Sequence, residues 1–357
     1  MRLTIVMVIS IILSGVISAV LIPAGNAAVF AEVATASYCP DCPPVNEMLF
    51  DIYNSHEYDF YYVMMVGDKN EFAYERIKDD YNFYWYPTVF FDGGYRVFLD
   101  NSRDALEKAI EESMTREKPD IDMEVSAEWI QCPCQHGLDI EVNIRNGGGE
   151  YNGLLRVYVA EVNSRWNDYS GNQYHLAFLE FAHVENISMS PNEYKTIYIT
   201  WDPEKHFPDI TYGSFNNLAV FAVLFNTTAH TQYANPPDRN PFNAYYVDAI
   251  DMKMSPNIPP SVSIISPRDG YLYVMDREIM RVGKTVILGK KTVEINSWDS
   301  DGIEKVEIYV DGIPRKTLTN ENTWIWKDMG NHALLVKAYD TKGNTAIDIV
   351  NAFIMAL

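Results

Sequence analysis

A chain of 357 residues with 47% apolar and 13% aromatic side chains has material for two or three packed domains. Its formal net charge of −21 argues against nucleic acid and against electrostatic docking on anionic lipid, and reads most simply as solubility. Met1 to Ala28 read as a targeting segment: Arg2 supplies a positive start, Leu3 to Ile22 form an apolar run, and Gly25-Asn26-Ala27 offer small residues at cleavage-site spacing. The run exceeds the roughly 7–15 residues of a signal core and approaches the roughly 20 that span a bilayer, so signal peptide and uncleaved anchor both stand. Either way the rest of the chain is expected to be extracytoplasmic, secreted or at the cell surface.

Val29 to Ala36 is β-rich and is followed by Cys39-Pro40-Asp41-Cys42, then by helical periodicity at Val45, Met48, Leu49, Ile52 and Tyr53. A strand that feeds Cys-x-x-Cys into a helix places the first sulfur over the helix N-terminus. Unpaired N–H groups and the helix dipole there favour a thiolate. Thiol–disulfide exchange needs that thiolate and a second sulfur to displace it from a mixed disulfide. Cys39 is therefore the expected nucleophile and Cys42 the resolving thiol. The same spacing also makes half of a zinc site or a passive structural disulfide. Asp41 opposes the thiolate and argues against a strong oxidant.

Next come a buried-looking strand (Phe60 to Val66), a helical stretch (Glu71 to Asp80), Trp85-Tyr86-Pro87-Thr88-Val89-Phe90-Phe91 with Asp92-Gly93-Gly94 behind it, and an amphipathic helix (Arg103 to Thr115). With Cys39-x-x-Cys42 in front, Val29 to Glu117 resembles the thioredoxin superfamily, whose members carry a cis-proline before the third strand. The resemblance implies that Cys39 attacks, Cys42 resolves, Pro87 packs beside the pair and the Tyr86 backbone pairs with an extended substrate. It also makes Glu32 a counterpart of the buried acid that serves the resolving cysteine; an exposed edge glutamate is the other reading. Pro40-Asp41 departs from the Gly-Pro and Pro-His pairs of better-known relatives.

Lys118-Pro119 ends the last helix. Beyond it Leu138 to Ile144, Leu154 to Val162, Lys195 to Thr200 and Leu218 to Phe225 are short runs separated by Asn, Gly and Pro clusters, the pattern of an antiparallel β-sandwich. With the first region, this run resembles an exported thioredoxin-like group related to certain outer-membrane proteins and lipoproteins. Met252 to Pro260 reads as a proline-rich linker. Ser261 to Leu357 resembles the Ig-like modules appended to bacterial and archaeal surface proteins. The expected fold class is multidomain: an α/β thioredoxin-like domain (29–118) after the targeting segment (1–28), then a β-sandwich (119–251), a linker (252–260) and an Ig-like β-sandwich (261–357).

Cys132-Pro133-Cys134 with His136 leaves three readings: a local structural disulfide, a strained pair that exchanges with Cys39 and Cys42, or thiolate and imidazole ligands for Cu(I) or Zn(II). Asp299, Asp301 and Asp340 offer calcium oxygens or turn caps. Asn186 and Asn226 sit in N-x-S/T sequons.

The expected function is an exported thiol–disulfide oxidoreductase that acts on extracytoplasmic protein thiols and disulfides through Cys39 and Cys42. It needs no bound cofactor, exchanges electrons with a donor or acceptor protein, takes no nucleic acid, and meets the membrane only through an uncleaved N-terminal segment. The rival is a cell-surface binding or adhesion protein in which Cys39–Cys42 is a fixed brace.

Overall fold

The computed structural model describes residues 28–129, 137–210, 216–254, 258–299 and 302–355. The first elements are β1 (Val29–Thr35), α1 (Cys42–Ser55), β2 (Phe60–Val66), α2 (Glu71–Glu75), which runs into a π-helical turn at Arg76–Asp80, β3 (Thr88–Phe91), β4 (Arg96–Phe98) and α3 (Arg103–Met114). There follow β5 (Ile121–Trp129), β6 (Leu138–Asn146), β7 (Tyr151–Asn167), β8 (Gln173–Met189), β9 (Tyr194–Trp201), β10 (Leu218–Asn226), β11 (His230–Asn235), β12 (Arg239–Ala244) and β13 (Val247–Met254). The last part holds β14 (Ser261–Ser266), β15 (Tyr271–Val274), β16 (Arg277–Arg281), β17 (Thr285–Leu288), β18 (Lys291–Trp298), β19 (Ile303–Val310), β20 (Ile313–Leu318), β21 (Thr323–Trp326), β22 (Met329–Asp340) and β23 (Thr345–Met355).

The expectation of an α/β thioredoxin-like domain followed by two all-β domains is corrected here. The described chain is mostly β, with three α-helices of 14, 5 and 12 residues, and no separate α/β domain is evident in it. One eight-stranded sheet, in the order β13-β10-β7-β8-β2-β1-β3-β4, runs through both regions that the sequence pattern divides at residue 118. The seam is a short parallel contact, Met64 opposite Ala177, between β2 and β8.

Side chains explain the fusion. In β10 every residue from Leu218 to Phe225 is buried, as expected of a strand covered on both faces. Phe221, Val223 and Phe225 belong to the core that also contains Phe30, Val63, Phe90 and Tyr158. Val220, Ala222 and Leu224 turn to a second core with Val142, Ile144, Val157 and Val159. That second core is closed by the three-stranded sheet β5-β6-β9, which gives a sandwich-like arrangement. The first core crosses the seam through aromatic contacts, Phe30 on Tyr158 at 5.3 Å and Phe30 on Phe221 at 6.1 Å.

A buried charge cluster and a buried amide tie the regions further. Asp92, closed from solvent, accepts from the Phe30 N–H at 3.0 Å and pairs with Lys118 at 3.0 Å and Arg116 at 3.5 Å, while Arg116 also reaches Asp248 at 3.3 Å. Burial pushes the Asp92 carboxyl up, and the two cations hold it back. Lys118, which reads in the sequence as the end of a domain, is thus a buried tie. Asn70 likewise caps α2 through the Phe72 N–H and donates to the carbonyls of Phe178 and Leu179 in β8, both at 2.7 Å.

The last part is a sandwich of the sheet β14-β18-β21 on the sheet β16-β15-β17-β23-β22-β19-β20, around Val293, Ile295, Ile308, Trp326, Val336 and Ile354. β17 pairs in parallel with β15 and β23, so the sheet is not wholly antiparallel. Met252 to Met254, expected in the linker, are strand residues paired with β10. This part meets the rest where Phe50 of α1 packs on Trp298 at 4.9 Å and Asn163 donates to the Pro259 carbonyl at 2.9 Å.

Candidate redox site

Cys39 and Cys42 form a disulfide where β1 passes into α1. The loop is shaped by Ser37, whose N–H and hydroxyl both donate to Asp68, at 2.8 and 2.5 Å, and by the Cys39 N–H on the Ala36 carbonyl at 3.1 Å. Cys42 is the first residue of α1, with prolines in the first turn, where their missing N–H costs no helical hydrogen bond. Asp41 holds the N-cap position but its side chain makes no capping hydrogen bond, and no acidic residue lies in the first turn. Pro43 and Pro44 take two N–H groups out of the first turn, so it is the helix dipole that bears on the sulfurs, without an internal carboxylate cap.

The two sulfurs differ in access. Cys42 is fully closed, whereas Cys39 retains 5% exposure and lines a groove of about 390 Å³ with Tyr38, Asp41, Phe83, Tyr84, Trp85 and Tyr86. Tyr38, Tyr84 and Trp85 are exposed, an aromatic rim around an otherwise small opening. Tyr86 packs against Ala36, Cys39 and Cys42, with its ring 4.7 Å from Phe83, and its phenol is pushed up by burial. It fits because position 67 is glycine: a Cβ on Gly67 would lie 2.3 Å from the Tyr86 hydroxyl. The Tyr86–Pro87 peptide is cis, and Pro87 is buried immediately ahead of β3. Thr88 donates to the Trp85 carbonyl at 2.6 Å and fixes the turn ahead of the strand.

Glu32 is fully buried, but in a different network. Its carboxylate takes Arg76 through two nitrogens at 2.8 and 2.7 Å, the Tyr158 hydroxyl at 3.1 Å, and the Tyr81 hydroxyl. Arg76 lies over the rings of Tyr81 and Phe225 and also pairs with Asp80, which meets Arg156 at 3.0 Å. Burial works against the Arg76 charge, yet Glu32 holds the guanidinium well above its ordinary value. Burial also pushes the Tyr81 and Tyr158 phenols far up, so both stay hydroxyl donors. Cys39, Cys42 and Tyr86 are thus brought into one cluster, and Glu32 is engaged by Arg76 and two tyrosines.

Cys132, Cys134 and His136 lie outside the described residues, as do Asp301 and residues 1–27. Asp340 is spent on its own turn, accepting from the N–H groups of Lys342 and Asn344 at 2.9 and 2.7 Å. Among the described residues no three acidic, cysteine or histidine side chains are grouped to hold a metal ion. No described helix is long and apolar enough to cross a membrane. Of the sequons, Asn186 is exposed on β8, whereas the Asn226 side chain accepts from the Tyr246 N–H at 3.3 Å. The sequence reading missed the Glu32–Arg76 pair and the aromatic rim. The rim had a signal in the unbroken run Phe83-Tyr84-Trp85-Tyr86; the pair had none, because its partners come from four separated segments.

No protein-family model matches the chain, and no curated protein matches it. Among solved structures, a protein of Agrobacterium tumefaciens is similar at 13% identity and a TM-score of 0.40, over 65% of this chain and 95% of that one. The fibronectin(III)-like modules of CbhA from Clostridium thermocellum give 23% identity and a TM-score of 0.22, over 27% of this chain and 98% of theirs. Red sea bream transglutaminase gives 10% and 0.19, over 76% of this chain and 38% of its own. Likenesses at this level carry no argument about fold or function.

Proposed function

We propose that the chain is an exported thiol–disulfide oxidoreductase working through Cys39 and Cys42 on extracytoplasmic protein clients. The observation that carries the reading is the asymmetry of the pair: one sulfur at the floor of an aromatic-rimmed groove, the other sealed beneath it at a helix N-terminus. The likeness of Cys39-Pro40-Asp41-Cys42 and Tyr86-Pro87 to thioredoxin-superfamily motifs supports the same chemistry. Export is supported by the apolar run Leu3 to Ile22 and by a disulfide that persists outside the cytosol.

In the oxidising direction a client thiolate attacks the Cys39 sulfur, the Cys39–Cys42 bond breaks, and Cys42 leaves as a thiolate. A second client thiolate then attacks the client sulfur of the mixed disulfide and releases Cys39. Two electrons pass from the client dithiol to the pair, and the two client protons end on Cys39 and Cys42. The reverse order reduces a client disulfide, and a donor or acceptor protein resets the pair. The rival reading is a surface binding protein with a fixed Cys39–Cys42 brace, which the preponderance of strand favours.

The test is trapping. Cys42→Ser should accumulate clients in complexes that a reducing agent dissolves, and Cys39→Ser should not. Folded protein that traps nothing and catalyses no exchange of a model disulfide refutes the oxidoreductase and leaves the binding protein.

A further inference from the structure

The residues between the two cysteines leave one side chain without a task. Asp41 is exposed, makes no capping hydrogen bond to α1 and has no ion-pair partner among the described residues, yet it lines the groove whose floor is Cys39. Five of the groove's lining residues are aromatic and none is a lysine or arginine. The field beside the sulfur has the same sign as Asp41: the Tyr86 phenol, packed against Cys39, is pushed up first by burial and then by Tyr38 and the Asp68 carboxylate. Lys69 meets Asp68 at 3.6 Å but does not line the groove.

The disulfide on the floor fixes what enters. Cys39 keeps only 5% exposure, so a client thiolate that reaches it lays the residues next to its own cysteine against Asp41 and the exposed rings of Tyr38, Tyr84 and Trp85. Three kinds of neighbour compete for that place. An acidic one meets Asp41 as a like charge. An apolar one covers the rings but takes water from Asp41 and returns no hydrogen bond. An arginine or lysine rests its aliphatic stem and its charge on the rings and brings N–H donors to the carboxylate. It also favours the client's own thiolate, the species that attacks.

We infer that the clients of this site carry an arginine or lysine beside the reactive cysteine, with Asp41 pairing its charge and the aromatic rim covering its stem. The inference rests on the redox reading of Cys39 and Cys42 and names its substrate class. The covalent step is unchanged: the client thiolate bonds to the Cys39 sulfur, the Cys39–Cys42 bond breaks, and Cys42 leaves as a thiolate. The basic residue takes no part in that exchange and offsets the negative charge that the client brings to an acidic rim.

The test uses the full chain carrying Cys42→Ser, with Cys39 first linked to 2-thiopyridine, an uncharged group that an incoming thiol displaces as a coloured product. Three glycine-rich peptides differ only in having arginine, glutamate or leucine on both sides of one cysteine. Each rate is divided by the same peptide's rate on free dithiodipyridine, which removes its intrinsic thiol reactivity. At low salt the arginine peptide should exceed the glutamate peptide about fivefold and also lead the leucine peptide, and Asp41→Asn should cut the arginine-to-glutamate ratio to about twofold. The ratio compares peptides on one variant, so a change in the reactivity of Cys39 itself cancels. Should Cys42→Ser not fold, loss of the native Cys39–Cys42 bond at excess peptide, read by intact mass after an acid quench, ranks the same peptides. Equal normalised rates overturn the inference, as does a leading leucine peptide. So does a ratio that Asp41→Asn leaves intact, because the net charge of −21 then supplies the preference without the groove. The native chain separates this inference from the reading beneath it. Catalysed exchange of a model disulfide with no preference among the peptides removes the basic neighbour alone, whereas no catalysis removes the redox reading and this inference together.

Discussion

Arg76→Met is the sharpest test of how the two β regions are held together. Methionine fills most of the guanidinium's volume beside Tyr81 and Phe225 but leaves Glu32, fully buried, with only the Tyr81 and Tyr158 hydroxyls as donors. Breaking a buried pair from one side costs about 3–5 kcal/mol, because an uncompensated charge remains. Loss of the Arg76–Asp80 link adds little, since Asp80 is exposed on its side chain and keeps Arg156. For a body of this size the expected loss corresponds to a fall in Tm of roughly 6–20 °C. Urea unfolding followed by far-ultraviolet circular dichroism measures it. The double variant Glu32→Gln with Arg76→Met removes both charges and keeps an acceptor for the tyrosines, so it should regain at least about half of the loss. If Arg76→Met costs less than about 1 kcal/mol, or if the second substitution adds its own full penalty instead of rescuing, the Glu32–Arg76 pair is not what stabilises the cluster that Tyr158 and Phe225 join from the second region.

Two further predictions concern access and pH. After gentle reduction, brief alkylation and peptide mapping should label Cys39 well ahead of Cys42, because only Cys39 opens to the groove; preferential labelling of Cys42 reverses their roles. His175 sits at about 4 when folded against about 6.5 when free, so the unfolded chain binds the extra proton and stability is lost as pH falls from about 6.5 to about 4, by up to about 3 kcal/mol. Urea midpoints at pH 7 and 4.5 should therefore fall further for the native chain than for His175→Gln; equal falls would refute the assignment.

Local elements were legible because their causes are local. The period of Val45, Leu49 and Ile52 marks α1, and the continuous apolar run of β10 marks a strand buried on both faces. The cysteine pair and its helix are likewise written in adjacent residues. The lateral order of strands was not legible: that β8 would lie beside β2 depends on Ala177 meeting Met64 across more than a hundred residues. No periodicity encodes such a pairing. The same limit hid the Arg76 partner of Glu32, which reads in the sequence as a buried acid beside the resolving cysteine or as an exposed edge glutamate, with nothing local that points to residue 76.

The short junction between β2 and β8 bears on how this chain can be inherited. A sheet whose two halves meet through one opposed residue pair has little ladder to hold it, so cohesion rests on Phe30, Tyr158 and Phe221, on Asn70, and on the Asp92 and Glu32 clusters. Each cluster has members on both sides of residue 118: Tyr158 donates to Glu32, Asp248 pairs with Arg116, and Asn70 donates to the carbonyls of Phe178 and Leu179. Gene shuffling that moved the disulfide-bearing segment alone would strip the Tyr158 hydroxyl from Glu32, part Asp248 from Arg116 and Asn70 from β8, and expose aromatic surface on both fragments. The first two regions are therefore a single unit of exchange, and a recombination breakpoint is tolerated only beyond β13, where the chain passes to its last sandwich.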